Sequence, residues 1–228
     1  MSESNYNSRL SYYKRRQKRR KKIIIRRVIC LFLIVGAITG IVFGGVRLYK
    51  NLKVKNQLNI AENIKMPEWV DVQLIHLHNT ARSGKKLKAI NNIVIHYVGN
   101  PASTAQNNRN YFDNEDTEVS SHFVVGLEGE IIQCIPISEK SAASNWRNAD
   151  TISIEVCHPD ESGKFNDVTY QSVVKLTAWL CNKLKLDENA VIRHHDITGK
   201  NCPKYYVENE NAWETLKNDV GSKLKEFG

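Results

Sequence analysis

The stretch VICLFLIVGAITGIVFGGV, Val28 to Val46, runs nineteen residues without a charge, and Thr39 is its only hydroxyl. At ~1.5 Å per residue a helix of that length rises about 28 Å, close to the ~30 Å hydrocarbon core of a bilayer. A buried core helix would show a polar face at period 3.6, and this segment shows none. A transmembrane helix is therefore expected over residues 28–47, with the lipid bilayer as its partner. Residues 1–27 hold eleven Lys/Arg and one acid, a net +10 against +9 for the whole chain, so the remainder sums to −1. A nucleic-acid surface would carry its positive charge on the folded part, so no nucleic-acid partner is expected. The cationic flank is heavier before the segment than after it, where Arg47, Lys50, Lys53 and Lys55 follow. The positive-inside rule then sets a cytoplasmic tail at 1–27 and the rest of the chain outside. A cleaved signal peptide has a shorter apolar core, about 7–15 residues, and a small-x-small site. Here Arg-Leu-Tyr-Lys follows a longer core, which favours an uncleaved single-pass anchor.

Residues 48–65 are polar and read as a stalk, partly helical, with a globular domain over 66–228. Within that domain strands alternate with helices. NNIVIHYV (91–98) is a β-branched run expected as a buried central strand. Ser103 is placed to cap a helix running to about Asn114. Strands at 121–126 and 130–135 around Gly129 read as a hairpin, and TISIEVC (151–157) alternates as another strand. A helical stripe of Val173, Leu176, Leu180 and Leu184 follows. AVIRHHD reads as a short strand, and Ala212 to Phe227 as a last amphipathic helix. This pattern predicts an α/β class: a single domain with a central mixed β-sheet flanked by helices, preceded by one transmembrane helix. A monomer is expected.

Three side chains stand out by chemistry. His96 falls inside an apolar strand, His194 ends a strand, and Cys202 follows eight residues later in a polar setting beside Pro203. Two imidazoles and a thiolate are good zinc ligands, and three protein ligands leave a position open, as catalytic zinc requires. Residue spacing alone leaves two other readings open: satisfied core histidines, or Cys202 as a nucleophile with His194 as its base. The other cysteines in the outer part, Cys134, Cys157 and Cys181, lie in or beside apolar runs and read as buried small hydrophobes. His76, His78, His158 and Asp160 read as surface or rim positions, and Tyr205 and Tyr206 as packing.

Four segments in order, NNIVIHYVGN, SSHFVVGLEGEIIQ, TISIEV and VIRHHDITGKNCP, resemble the zinc-dependent N-acetylmuramoyl-L-alanine amidases. That family includes the phage lysozyme-type amidases and is related to the peptidoglycan recognition proteins. The resemblance covers about Met66 to Phe227. It implies Zn2+ held by His96, His194 and Cys202, with Lys200 stabilising charge on the carbonyl oxygen and Glu155 handling the proton of the catalytic water. It also implies substrate-binding positions at His122, Asn145 and Trp146, with strand packing as the other reading of His122 and structural packing as the other reading of Trp146. Asp196 is expected to orient His194 or its turn. One departure matters: where some relatives carry a catalytic tyrosine, this chain has Ser121, which shifts acid–base work onto Glu155. Ser153 and Glu155 share one strand face, opposite Ile152, Ile154 and Val156. The activity implied is hydrolysis of the amide between N-acetylmuramic acid and L-alanine in peptidoglycan, by an enzyme outside the cell facing the wall. The alternative is a muropeptide-recognition module that does not cut.

Overall fold

The computed structural model describes residues 3–77 and 80–227, so His78 lies outside the described residues. The chain divides into two compact units, residues 1–52 and 53–228. Helix α1 (Glu3–Asn63) runs without a break through the basic and uncharged stretches. In the first unit Phe32, Leu33, Ile41 and Phe43 stand exposed along it. This helix is long and apolar enough to cross a membrane.

The last turns of α1 belong to the second unit, where they are packed rather than stalk-like. Gln57 and Ala61 are buried, and Leu58, Ile60 and Ile64 lie against the domain core. The Gln57 carboxamide donates to the Leu184 carbonyl at 2.7 Å. The polarity of the segment conceals this, because its apolar side chains form only a narrow stripe. Met66 and Trp69 continue the packing, with Trp69 edge-on to Trp179 at 6.0 Å and Lys175 over its ring at 4.3 Å.

Six strands form one mixed sheet in the order β1 (Asp71–Val72), β4 (Ile131–Gln133), β3 (Phe123–Val125), β5 (Thr151–Val156), β2 (Asn92–Ile95) and β6 (Val191–Arg193). Every neighbouring pair is parallel except β3 and β4, the expected hairpin. Its turn needs Gly129, at φ +80°, where a Cβ would come within 2.7 Å of the Val168 side chain.

Alternation along the strands divides the core in two. Ile93, Ile95, Ile152, Ile154 and Val156 join the large cluster built with α3 (Asp167–Leu184) and α6 (Glu210–Glu226). Val124 and Ile132 face the other way, in a smaller cluster with Ala105 and Phe112 of α2 (Ala105–Phe112). Helix α2 is capped by Thr104, whose hydroxyl accepts from Asn107 N–H at 3.1 Å. Ser103, the expected cap, instead donates to the Asn100 carbonyl at 2.8 Å. Asn166 caps α3, accepting from Thr169 N–H at 2.9 Å.

Candidate active site

The register of three parallel strands brings the site together. Ile95 of β2 pairs with Ile154 of β5 on one side and Arg193 of β6 on the other. One residue further on, His96, Glu155 and His194 stand side by side at the carboxyl ends of their strands. They lie on the face opposite Ile95 and Ile154, because successive residues alternate. His96 N–H donates to the Ile154 carbonyl at 2.9 Å, which carries the ladder past the end of β2.

Cys202 arrives by a tight return. His194 does not end a strand but opens α4 (His194–Thr198), which Gly199 terminates at φ +77°. His195 then staples the loop: its backbone N–H donates to the Cys202 carbonyl at 2.9 Å, and its Nδ1 lies 3.1 Å from the Lys200 carbonyl. Asp196 is an anchor for this turn. It accepts from Arg193 N–H at 2.8 Å and from the Arg193 guanidinium at 2.9 Å, and makes no bond to the His194 ring. Arg193 in turn donates to the Tyr206 carbonyl at 2.9 Å and to Glu210 at 2.7 Å.

The ligand atoms of His96, His194 and Cys202 all lie within 4.8 Å of one another. Cys202 Sγ is 3.9 Å from His96 Nδ1, and the two imidazole centroids are 4.6 Å apart. All three residues are buried. Glu155 places Oε1 3.8 Å from His96 Nδ1, while its Oε2 is buried without a hydrogen-bond partner.

Burial governs the electrostatics. It lowers His96 well below its ordinary 6.5, helped by the charges of His194 and Lys200, and lowers His194 in the same way with Lys200 second. Both imidazoles are thereby neutral, the form that binds metal. Burial pushes the Cys202 thiol up to about 12, with Glu155 adding to the rise and the Tyr97 N–H and Lys200 opposing it. Its surroundings thus do not activate this thiol as a nucleophile, which needs a depressed pKa. Burial likewise raises Glu155 to about 8 against the pull of Lys200. Two neutral imidazoles, a dry thiol and an unpartnered carboxyl oxygen fit a divalent, thiophilic cation, whose charge would displace the thiol proton.

Two residues of the loop before β5 hydrogen-bond the imidazoles. Asn145, read as a substrate contact, sits at φ +52° with Oδ1 2.9 Å from His194 Nε2. Ser144 Oγ lies 3.4 Å from His96 Nε2. Both hydrogen bonds occupy Nε2. Both belong to the start of a 3₁₀ turn (Asn145–Ala149) whose approach is steadied by Asn148, accepting from the Ala143 and Ser144 N–H groups at 3.1 and 2.6 Å. No periodicity could have flagged Ser144.

A cavity of about 510 Å³ opens over the trio, lined also by Glu155, Lys200 and Asn145, with Tyr111 and Val119 on its far wall. Lys200 is exposed there. Trp146 is 70% exposed and does not line this cavity. His122, the other expected substrate contact, does not line it either. The ring is fully buried, with Nδ1 accepting from Ser153 N–H at 3.0 Å and Nε2 donating to the Glu139 carbonyl at 2.9 Å. Its hydrogen-bonding capacity is spent inside the fold. Ser121 is buried too, its hydroxyl donating to the Phe123 carbonyl. His158 is buried rather than on a solvated rim, stacked on Tyr97 at 5.1 Å. His76 is exposed and pairs with Asp113 at 3.0 Å, and Tyr206 packs on Phe165 at 4.6 Å. Cys134, Cys157 and Cys181 are buried free thiols.

Residues 86–205 match the family described as N-acetylmuramoyl-L-alanine amidase. The chain is 33% identical over 171 residues to the N-acetylmuramoyl-L-alanine amidase BlyA of Bacillus subtilis (strain 168), covering 66% of this chain and 46% of that protein. It is 28% identical over 167 residues to the amidase CwlL of Bacillus licheniformis, with the same coverage. The chain thus spans about half the length of the curated relatives it matches. The catalytic domain of XlyA superposes with a TM-score of 0.59 at 23% identity, covering 67% of this chain and 99% of that one. The PlyG catalytic domain superposes at 0.60 and 22%, covering 68% and 94%. At those identities the two superpositions show the fold.

Proposed function

The chain belongs to the N-acetylmuramoyl-L-alanine amidase family, and on that premise we propose that it is a zinc-dependent hydrolase cleaving the amide between N-acetylmuramic acid and L-alanine of peptidoglycan. The observation that carries this is the convergence of His96, His194 and Cys202 within 4.8 Å, beside a buried carboxyl with one oxygen unpartnered. An amide is resonance-stabilised, so its hydrolysis needs an activated water, a stabilised oxyanion and a proton for the departing amine. His96, His194 and Cys202 would hold a zinc ion, which would supply Lewis-acid polarisation and bring the pKa of a water to about 7. Glu155 takes the proton of the attacking water and delivers it to the leaving nitrogen. Glu155 lies beside the trio with Oε2 free of any hydrogen-bond partner, and a bound dication would keep its carboxyl ionised and able to accept that proton. Lys200, cationic at the cavity mouth, stabilises the developing oxyanion, an effect worth a few kcal/mol when preorganised. Ser121 takes no part, since its hydroxyl is committed to the backbone.

We read residues 1–27 as a cytoplasmic tail and 28–47 as a single-pass anchor, with the catalytic unit outside facing the wall. The helix over these residues has the length and composition for this role, and the charge asymmetry supports that direction. The test is digestion of purified peptidoglycan by the zinc-supplemented protein. New N-terminal alanine without new reducing sugar ends supports the reading. Binding of muropeptides with no alanine released would replace it with a recognition module.

A further inference from the structure

A second, smaller cavity of about 230 Å³ opens beside the catalytic one and shares Thr80, Ala142 and Asn148 with its wall. Lys85 and Lys140 also line it, and among the described residues no carboxylate does. Lys86 and Glu139 form an antiparallel bridge, and Lys140 N–H donates to the Lys85 carbonyl at 2.8 Å. That register sets Lys85 directly opposite Lys140 on the face turned from Lys86 and Glu139. Directly opposed residues have Cβ atoms about 4.5–5.5 Å apart, and like charges there repel. Glu139, next to Lys140 in sequence, is engaged by Arg82 at 2.9 Å, and Glu62 by Lys86 at 2.8 Å. Among the described residues neither Lys85 nor Lys140 has an ion-pair partner. Asn148 has its carbonyl oxygen taken by two backbone N–H groups, so the hydrogen bonds left to it are the donors of its amide. The cleft therefore offers two cations and an amide donor, against no negative charge.

We propose that this cleft is a subsite for a carboxylate of the substrate's peptide, bound by Lys85 and Lys140. The inference rests on the peptidoglycan reading above. The cleft adjoins the catalytic cavity through Thr80, Ala142 and Asn148, and the acidic groups of the peptide would supply the missing counter-charge. Two ammonium groups on one carboxylate make charge-assisted hydrogen bonds, the stronger kind.

The test is steady-state cleavage by the zinc-loaded full chain of two probes: a muramoyl tripeptide, and the same molecule with its carboxylates converted to carboxamides. The acid is expected to show a KM lower by about tenfold or more, with kcat within about twofold. Lys85→Ala/Lys140→Ala should abolish that preference by raising KM for the acid alone, and Lys85→Arg/Lys140→Arg should keep it. Equal KM values for the two probes with the unsubstituted protein, or a preference that survives the double alanine variant, overturns the subsite alone. Cleavage of neither probe overturns the amidase reading, and the subsite with it.

Discussion

Acidification of the domain should expose His122 as a structural residue. Burial, the largest cause, lowers its pKa from 6.5 to about 4, against the smaller upward pull of the Glu139 carbonyl and carboxylate. The reason is visible in the bonding: Nδ1 accepts from Ser153 N–H, so a proton added there would face another proton. The folded pKa is depressed below the unfolded one, so the unfolded chain binds the proton first. The stability tied to this group is therefore complete above about pH 6.5 and is lost as pH falls toward 4. At ~1.36 kcal/mol per pH unit the full loss is about 3 kcal/mol, and between pH 7 and pH 5 it is about 2 kcal/mol. Urea unfolding of the segment from Lys53 onward at both pH values measures it, with His122→Gln as a reference that does not titrate. Other titrating groups are common to both proteins and cancel in the difference. The variant should be less stable at pH 7 by about 1–3 kcal/mol, because Ser153 N–H loses its acceptor, but its pH dependence should be flatter by about 2 kcal/mol. Parallel pH profiles for the two proteins would refute the assignment.

Three further outcomes follow from the same geometry. Glu155→Gln should lower kcat by about 10²–10⁴ while zinc content, read by elemental analysis, stays at the unsubstituted level; unchanged turnover would remove Glu155 from proton transfer. Asn145→Ala frees the Nε2 position of His194 and should weaken metal binding by about 10–100-fold, read by competition with a chelating dye; equal affinity would contradict the positioning role. Gln57→Ala strips the Leu184 carbonyl of its donor and should cost about 1–3 kcal/mol in urea unfolding; no change would mean that the end of α1 is indeed a free stalk.

The site was legible where chemistry and periodicity coincided. Alternation in TISIEV placed Glu155 opposite the isoleucine face, and the strand register confirms that parity. His96, His194 and Cys202 were readable because their residue types are few and their segments resemble a known family in order. The hairpin, α3 and α6 followed from turn chemistry and apolar stripes. Long-range approaches were not legible. Ser144 and Asn145 meet histidines 48 and 49 residues away, through a turn whose position depends on the whole sheet. Of the two readings open for His122, substrate contact and strand packing, its burial beside Ser153 and Glu139 supports packing. The polar helix after the uncharged run looked like a tether because two buried residues, Gln57 and Ala61, are too few to make a strong stripe. Trp146 shows the converse: an aromatic beside the right strand, facing solvent.

The central claim is that three side chains from two distant parts of the chain form one metal site. The most direct measurement is the zinc content of the purified protein beside that of Cys202→Ser, with circular dichroism confirming that both are folded. One zinc per chain, falling to a small fraction in the variant, is the predicted result. Equal zinc in the two proteins, or none in either after reconstitution, would contradict it.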